Sequence, residues 1–190
     1  SIQSHRPISE ELAKRIPPTL ALMLVAILIA IVVGIPLGIL SALRPYSKAD
    51  YGLTSVTLGL SSVPTFVLGL AGIYIFAVWL NVLPSGGMQT LGKPSSPLDF
   101  ASHLILPAMV IGLASAAPLL RYTRASMLEV LNSEYVTTAR AKGLVYRVVI
   151  MRHAFRNGLI PIITILALLI PEAVAGAVIT EQVFAWNGMG

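Results

Sequence analysis

The sequence predicts an all-α membrane protein, a polytopic bundle of helices. Three observations carry that expectation. Only 11% of the 190 residues are charged while 56% are hydrophobic, whereas a soluble domain usually carries about 25% charge. Long apolar runs recur without the period-2 alternation of strands. Positive charge is concentrated between two of those runs. The mean hydropathy of +0.83 agrees: so much apolar surface needs lipid as its solvent, and lipid leaves the backbone only helices or closed barrels.

Spanning a bilayer takes about 20 apolar residues in a helix. The first span is expected over 19–43, a run without charge in which Pro36 kinks the helix without ending it. The second is expected over 53–80, interrupted by Pro64, and the third over 104–120, with Pro107 and Pro118 near its ends. The fourth covers 159–179 and holds Pro161, Pro171 and one acid, Glu172. Residues 1–18 are too polar to span. Ser9 can cap a short helix with Glu10 and Glu11 at its positive end, and Pro17-Pro18 is expected to break it, leaving a helix on the outer surface. The whole of 1–190 reads as a single transmembrane domain, and both ends look cut from something longer.

The thirteen Lys and Arg residues orient the chain. Seven of them fall between Arg121 and Arg156, the clustering expected of a cytoplasmic loop over 121–157. Arg44 and Lys48 then lie on the same side, and Arg6, Lys14, Arg15 and Lys93 lie outside. The net charge of +5 is thus a matter of topology and does not point to nucleic acid. There is no cysteine, which excludes a disulfide scaffold and thiolate chemistry. No G-x-x-x-x-G-K-[ST] loop is present to cradle ATP, nor an H-E-x-x-H or nucleophile-elbow motif. No enzyme activity and no cofactor are expected. His5, His103 and His153 are too scattered for a metal triad.

Within the stretch from Glu134 to Leu144, Tyr135 to Lys142 reads as a short helix ended by Gly143, suited to a left-handed C-terminal cap. Arg140 and Lys142 stand near the negative end of its dipole, and Thr138, Ala139 and Ala141 are small enough to let it approach another protein closely. Here the sequence resembles the ABC importer permeases. Their loop signature is Glu-Ala-Ala, three residues, then Gly, and here Thr137, Thr138, Ala139 and Gly143 occupy those positions. The later element falls at His153-Ala154-Phe155-Arg156. The departures match the peptide and nickel branch, in which Ala-Arg-Ala-Lys-Gly and His-Ala-x-Arg-Asn are usual. Ser62-Val-Pro-Thr-Phe66, Leu83-Pro-Ser-Gly-Gly87, Leu106-Pro107, Arg121-Tyr-Thr-Arg124 and Glu181-Gln-Val-Phe-Ala-Trp186 look like the same branch, in the same order.

The resemblance implies six spans, of which four are present here, in a bacterial or archaeal inner membrane. It implies a second permease subunit, a paralogue by analogy, two separate ATPase subunits and an extracytoplasmic solute-binding protein. By that likeness the helix from Thr137 to Leu144 contacts the ATPase, with Arg140, Lys142, Arg147, His153, Arg156 and Asn157 supporting it or touching the partner. Glu181 and Trp186 fall on the binding-protein side. The bland alternative is a basic loop attracted to anionic headgroups.

Glu172 stands apart. An acid near the centre of a span costs roughly 2.5–3.5 kcal/mol on insertion scales, so it is expected to face a translocation path, a partner chain or the bundle interior. The competing reading is a protonated or hydrogen-bonded acid at a kink, because Pro171 frees a carbonyl one turn earlier. Two other functions stay open: an ion-gradient-driven transporter using Glu172 as its proton site, and a membrane assembly subunit with no path of its own.

Overall fold

A computed structural model describes residues 8–92, 94, 96–141, 143, 148–150 and 155–190. Six α-helices are present among them: α1 (Ile8–Leu43), α2 (Lys48–Ser62), α3 (Thr65–Gly72), α4 (Pro97–Leu131), α5 (Glu134–Ala141) and α6 (Phe155–Val183), with a π-helix, Ile73–Trp79, continuing α3. Three helices, α1, α4 and α6, are long and apolar enough to cross a membrane, or four if α2 and the α3–π segment form one broken crossing. The chain divides into two compact units. Unit 1 holds Ser1–Ile29, Val63–Ala114 and Pro171–Gly190, and unit 2 holds Ala30–Ser62 and Ser115–Ile170.

One expectation needs correction. Pro17-Pro18 does not break a helix, for α1 runs through both residues. Each proline removes a backbone donor, but its fixed φ is helical, and contacts within unit 1 hold the segment: Trp186 Nε1–H donates to the Pro18 carbonyl at 3.3 Å and the Thr19 hydroxyl to the Glu181 carboxylate at 2.6 Å. Helix α4 outlasts the apolar run 104–120: it continues to Leu131 and carries Arg121 and Arg124. Those charges interrupt the apolar run without interrupting the periodicity: Met127 is buried and packs with Ala42 and Ile39 of α1 in unit 2. Pro64 interrupts the run 53–80: α2 ends at Ser62, Pro64 precedes α3 as its N-cap, and the π-helix completes the run.

Helix α1 presents one buried small residue per turn: Ala26, Ala30, Gly34, Gly38 and Ala42. Without a hydrophobic driving force between helices in lipid, such small residues let backbones approach closely. In unit 2, a Cβ on Gly38 would lie 2.6 Å from Thr123 Cβ and 2.7 Å from the Leu120 carbonyl oxygen of α4, and one on Gly34 would lie 3.1 Å from the Ala116 carbonyl. Ala30, Ala116, Leu119 and Ile162 form the core beside them. In unit 1 the roles reverse: a Cβ on Gly112 of α4 would lie 2.8 Å from the Ala26 carbonyl of α1. Leu22, Met23, Ala26, Ala108, Ile111, Ala173, Ala177 and Trp186 make the core there.

Candidate coupling site

The α1–α2 turn is built around one carboxylate. Ser47 precedes α2, and its hydroxyl accepts the Asp50 N–H at 3.2 Å, the usual way a serine caps a helix start. Asp50, in the first turn of α2 and only 3% exposed, sits at the positive end of the dipole. Its Oδ2 accepts the Tyr46 N–H at 2.8 Å, and its Oδ1 accepts the Ser41 hydroxyl of α1. Tyr46 reaches this position with φ of 60°, in the left-handed region. Arg124 of α4 completes the set with a fork: Nε donates to Oδ1 and Nη2 to Oδ2, both at 2.7 Å. Bidentate pairs of this kind are among the stronger charge-assisted bonds and fix orientation as well as distance.

Next to Arg124 and one helical turn before Met127, Thr123 is fully buried against Gly38, and its Oγ1 has no hydrogen-bond partner among the described residues. Helix α4 then ends at Leu131, and only Asn132 and Ser133 separate it from α5. Val136 of α5 is buried with Val149 and packs on Val130. Thr138 Oγ1 donates to the Glu134 carbonyl at 2.9 Å. Asn157, at the start of α6, donates its amide N–H to the Tyr135 hydroxyl of α5 at 3.1 Å. Ser126 of α4 donates to the Gly158 carbonyl at 3.0 Å. Gly143 has φ of 79° with open space about it, the conformation a helix-ending glycine supplies.

Among the residues singled out from the sequence, Thr138, Arg156 and Asn157 are exposed in this region. Lys142, Leu144, Arg147 and His153 lie outside the described residues, as do the side chains of Thr137, Ala139, Arg140 and Ala141. Asp50 was not legible as a site: its turn read only as polar, and Arg124 entered only as one letter of a motif. A signal was available in principle. An acid three residues after a serine at a helix start is a capping pattern, and the second basic residue of Arg121-Tyr-Thr-Arg124 falls one turn along α4 from the first.

The remaining sequence candidates lie in unit 1. Glu172 is exposed on α6 and forms no hydrogen bond or ion pair with a described residue. Glu181 is 2% exposed and Trp186 4%, so neither presents its side chain at the surface. The Glu181 carboxylate accepts the Thr19 hydroxyl at 2.6 Å and the Gly190 N–H at 2.7 Å. The Trp186 ring tilts against Phe100, with centroids 5.3 Å apart. The glycine turn of 84–88 is tied to the same place, with the Gly87 N–H donating to the Phe184 carbonyl at 2.7 Å. His103 Nδ1–H donates to the Asp99 carbonyl at 2.8 Å, and no group of three potential metal ligands occurs among the described residues.

Residues 34–190 match the family described as the binding-protein-dependent transport system inner membrane component. The whole chain is 46% identical to the oligopeptide transport system permease protein AppB of Bacillus subtilis, covering 60% of that protein. It is 38% identical to the di/tripeptide transport system permease protein DppB of Pseudomonas aeruginosa, covering 62% of it. It is 35% identical to the glutathione transport system permease protein GsiC of Escherichia coli, covering 59% of it. The chain thus spans about three-fifths of the length of these relatives. With the family match over most of the chain and several long apolar helices, this multi-pass membrane protein belongs to the family of binding-protein-dependent transport system inner membrane components.

Proposed function

We propose that this chain is the central part of a permease subunit of an ATP-driven peptide importer, forming half of the translocation path and receiving its energy through the 121–157 segment. The observation that carries this reading is α5: an eight-residue helix, too short to be stable by itself in water, mounted at the end of a 35-residue helix and followed by a left-handed glycine. A separate ATPase docks on this helix, a solute-binding protein delivers substrate on the opposite side, and a second permease, a paralogue, supplies the other half of the path. Glu181, expected on the binding-protein side, belongs to unit 1, and Arg44, Lys48, Arg121 and Arg124, expected in the cytoplasm, belong to unit 2. Glu181 and Trp186 serve the binding-protein side by holding the turn there rather than by touching the partner.

The substrate class is short peptides, since the relatives named above are permeases of oligopeptide, di/tripeptide and glutathione systems. Nickel is the competing cargo, and uptake of labelled dipeptide against labelled nickel in the same vesicles decides between them. Association is tested by purifying the intact protein from detergent, comparing wild type with a variant carrying Gly143→Leu and Arg140→Glu. The ATPase is expected to co-purify with wild type and to be lost from the variant. A well-folded wild type that retains no ATPase overturns the reading and leaves the ion-coupled transporter in front. Glu172→Gln is expected to lower peptide uptake while leaving ATPase association intact, as a path residue should. Unchanged uptake assigns Glu172 no part in the path.

A further inference from the structure

The geometry points to Asp50 and Arg124 as a positioning pair that locks the α5-bearing end of α4 to the α1–α2 turn, so that displacement of α5 moves unit 2 as one body. This rests on α5 being the ATPase contact. The pair lies about two turns before the end of α4, and a two-residue link then leads to α5. A push on α5 therefore loads α4 close to Arg124. Whether that load reaches α1 and α2 depends on what joins them at this level. Apolar side chains meet there, Ala42 with Met127 and Ile39, and such contacts resist separation better than they resist sliding.

The carboxylate of Asp50 resists both. It collects the guanidinium fork of α4, the Ser41 hydroxyl of α1 and the Tyr46 N–H of the turn while itself belonging to α2. One buried group of α2 is thereby bonded to α1, to the α1–α2 turn and to α4. The fork sets an angle that a single contact would leave free. Next to it, the close approach of Gly38 to Thr123 removes the space into which α4 could slip. A fold that needed only stability here could use apolar residues of similar volume, which often serve as well as a buried ion pair or better. What the ion pair adds is a fixed registration of α4 against the α1–α2 turn.

The test uses the full-length permease assembled with its partner subunits in proteoliposomes, and it reads peptide transported per ATP hydrolysed. Asp50→Asn keeps the volume and removes the charge. It is expected to lower that ratio about tenfold, within the usual range of coupling between sites, with the ATPase still bound. Because Asp50→Asn could also weaken folding, a second variant separates the two effects. These 190 residues hold no cysteine, so once any cysteine elsewhere in the full-length subunit is replaced, Asp50→Cys with Arg124→Cys gives one pair to be joined by a short bifunctional thiol reagent. Uncoupled transport before cross-linking and recoupled transport after it supports the lock. Wild-type coupling in Asp50→Asn, or a cross-linked protein that is folded and ATPase-bound yet still uncoupled, overturns it. A wild type that binds no ATPase instead defeats the underlying function, whatever the variants do.

Discussion

Gly38→Leu should abolish the packing of α1 on α4 in unit 2. The first carbon of any side chain there would stand 2.6 Å from Thr123 Cβ and 2.7 Å from the backbone oxygen of Leu120. The second of these contacts cannot be relieved by a change of rotamer, because the obstacle is main chain. Overpacking usually costs about 1–3 kcal/mol, and backbone against backbone belongs at the upper end or above it. The expected outcome is loss of the monodisperse species in detergent size-exclusion chromatography, or a large fall in the thermal midpoint. Gly52 provides the control. It also lies within a helix but has nothing within 4 Å of its missing Cβ, so Gly52→Ala should be neutral or stabilising by about 0.5–1 kcal/mol. Equal effects at the two sites would mean that glycine matters here for flexibility and not for close approach.

Gly188 and Glu181 should behave as one unit in a double-mutant cycle. A Cβ on Gly188 would occupy the space of the Glu181 carboxylate, meeting both oxygens and the carbon between them. Gly188→Ala therefore expels the carboxylate and breaks its bonds to Thr19 and Gly190. Leaving buried hydrogen-bonding groups unpaired costs about 1–3 kcal/mol, so a loss of about 2–3 kcal/mol is expected. Glu181→Ala alone should cost a similar amount. With both changes the methyl enters vacated space, and the combined loss should fall short of the sum by about 1 kcal/mol or more, as contacting residues commonly show. Thermal unfolding of the four proteins in one detergent measures this. Additive losses would place the two residues in separate environments.

The contrast between these two regions shows what the amino-acid pattern made legible. The all-α membrane class followed from the scarcity of charge, and three of the long helices lie where the apolar runs of 19–43, 104–120 and 159–179 predicted a span. Their ends were hidden, because hydropathy reports where lipid ends and not where hydrogen bonding ends. Arg121 and Arg124 leave the apolar run while α4 goes on, and Pro17-Pro18 is carried through α1 by contacts from residues about 170 positions away. The small residues of α1 recur every four positions from Ala26 to Ala42, a spacing the reading of the apolar run did not use, and their partner on α4 has no local signal. In the candidate site, the glycine that ends α5 followed from local chemistry. The Asp50–Arg124 fork joins residues separated by 74 positions, and nothing in either local stretch names the other. Likewise Glu181 and Trp186 were assigned to the binding-protein side through the resemblance, whereas their burial arises from Thr19, Pro18 and Phe100.

The row of Gly and Ala along α1 also bears on temperature. Burial driven by water carries a large heat-capacity change and weakens on cooling. Two helices that meet in lipid through Gly34, Gly38 and Ala30 release little water, and Gly and Ala have no rotamers to freeze. What holds them is close contact between main chains, with little entropy lost and little hydration exchanged. The attraction across this seam therefore changes little with temperature, and the joint between α1 and α4 keeps its strength in the cold while water-driven contacts elsewhere in the assembly loosen.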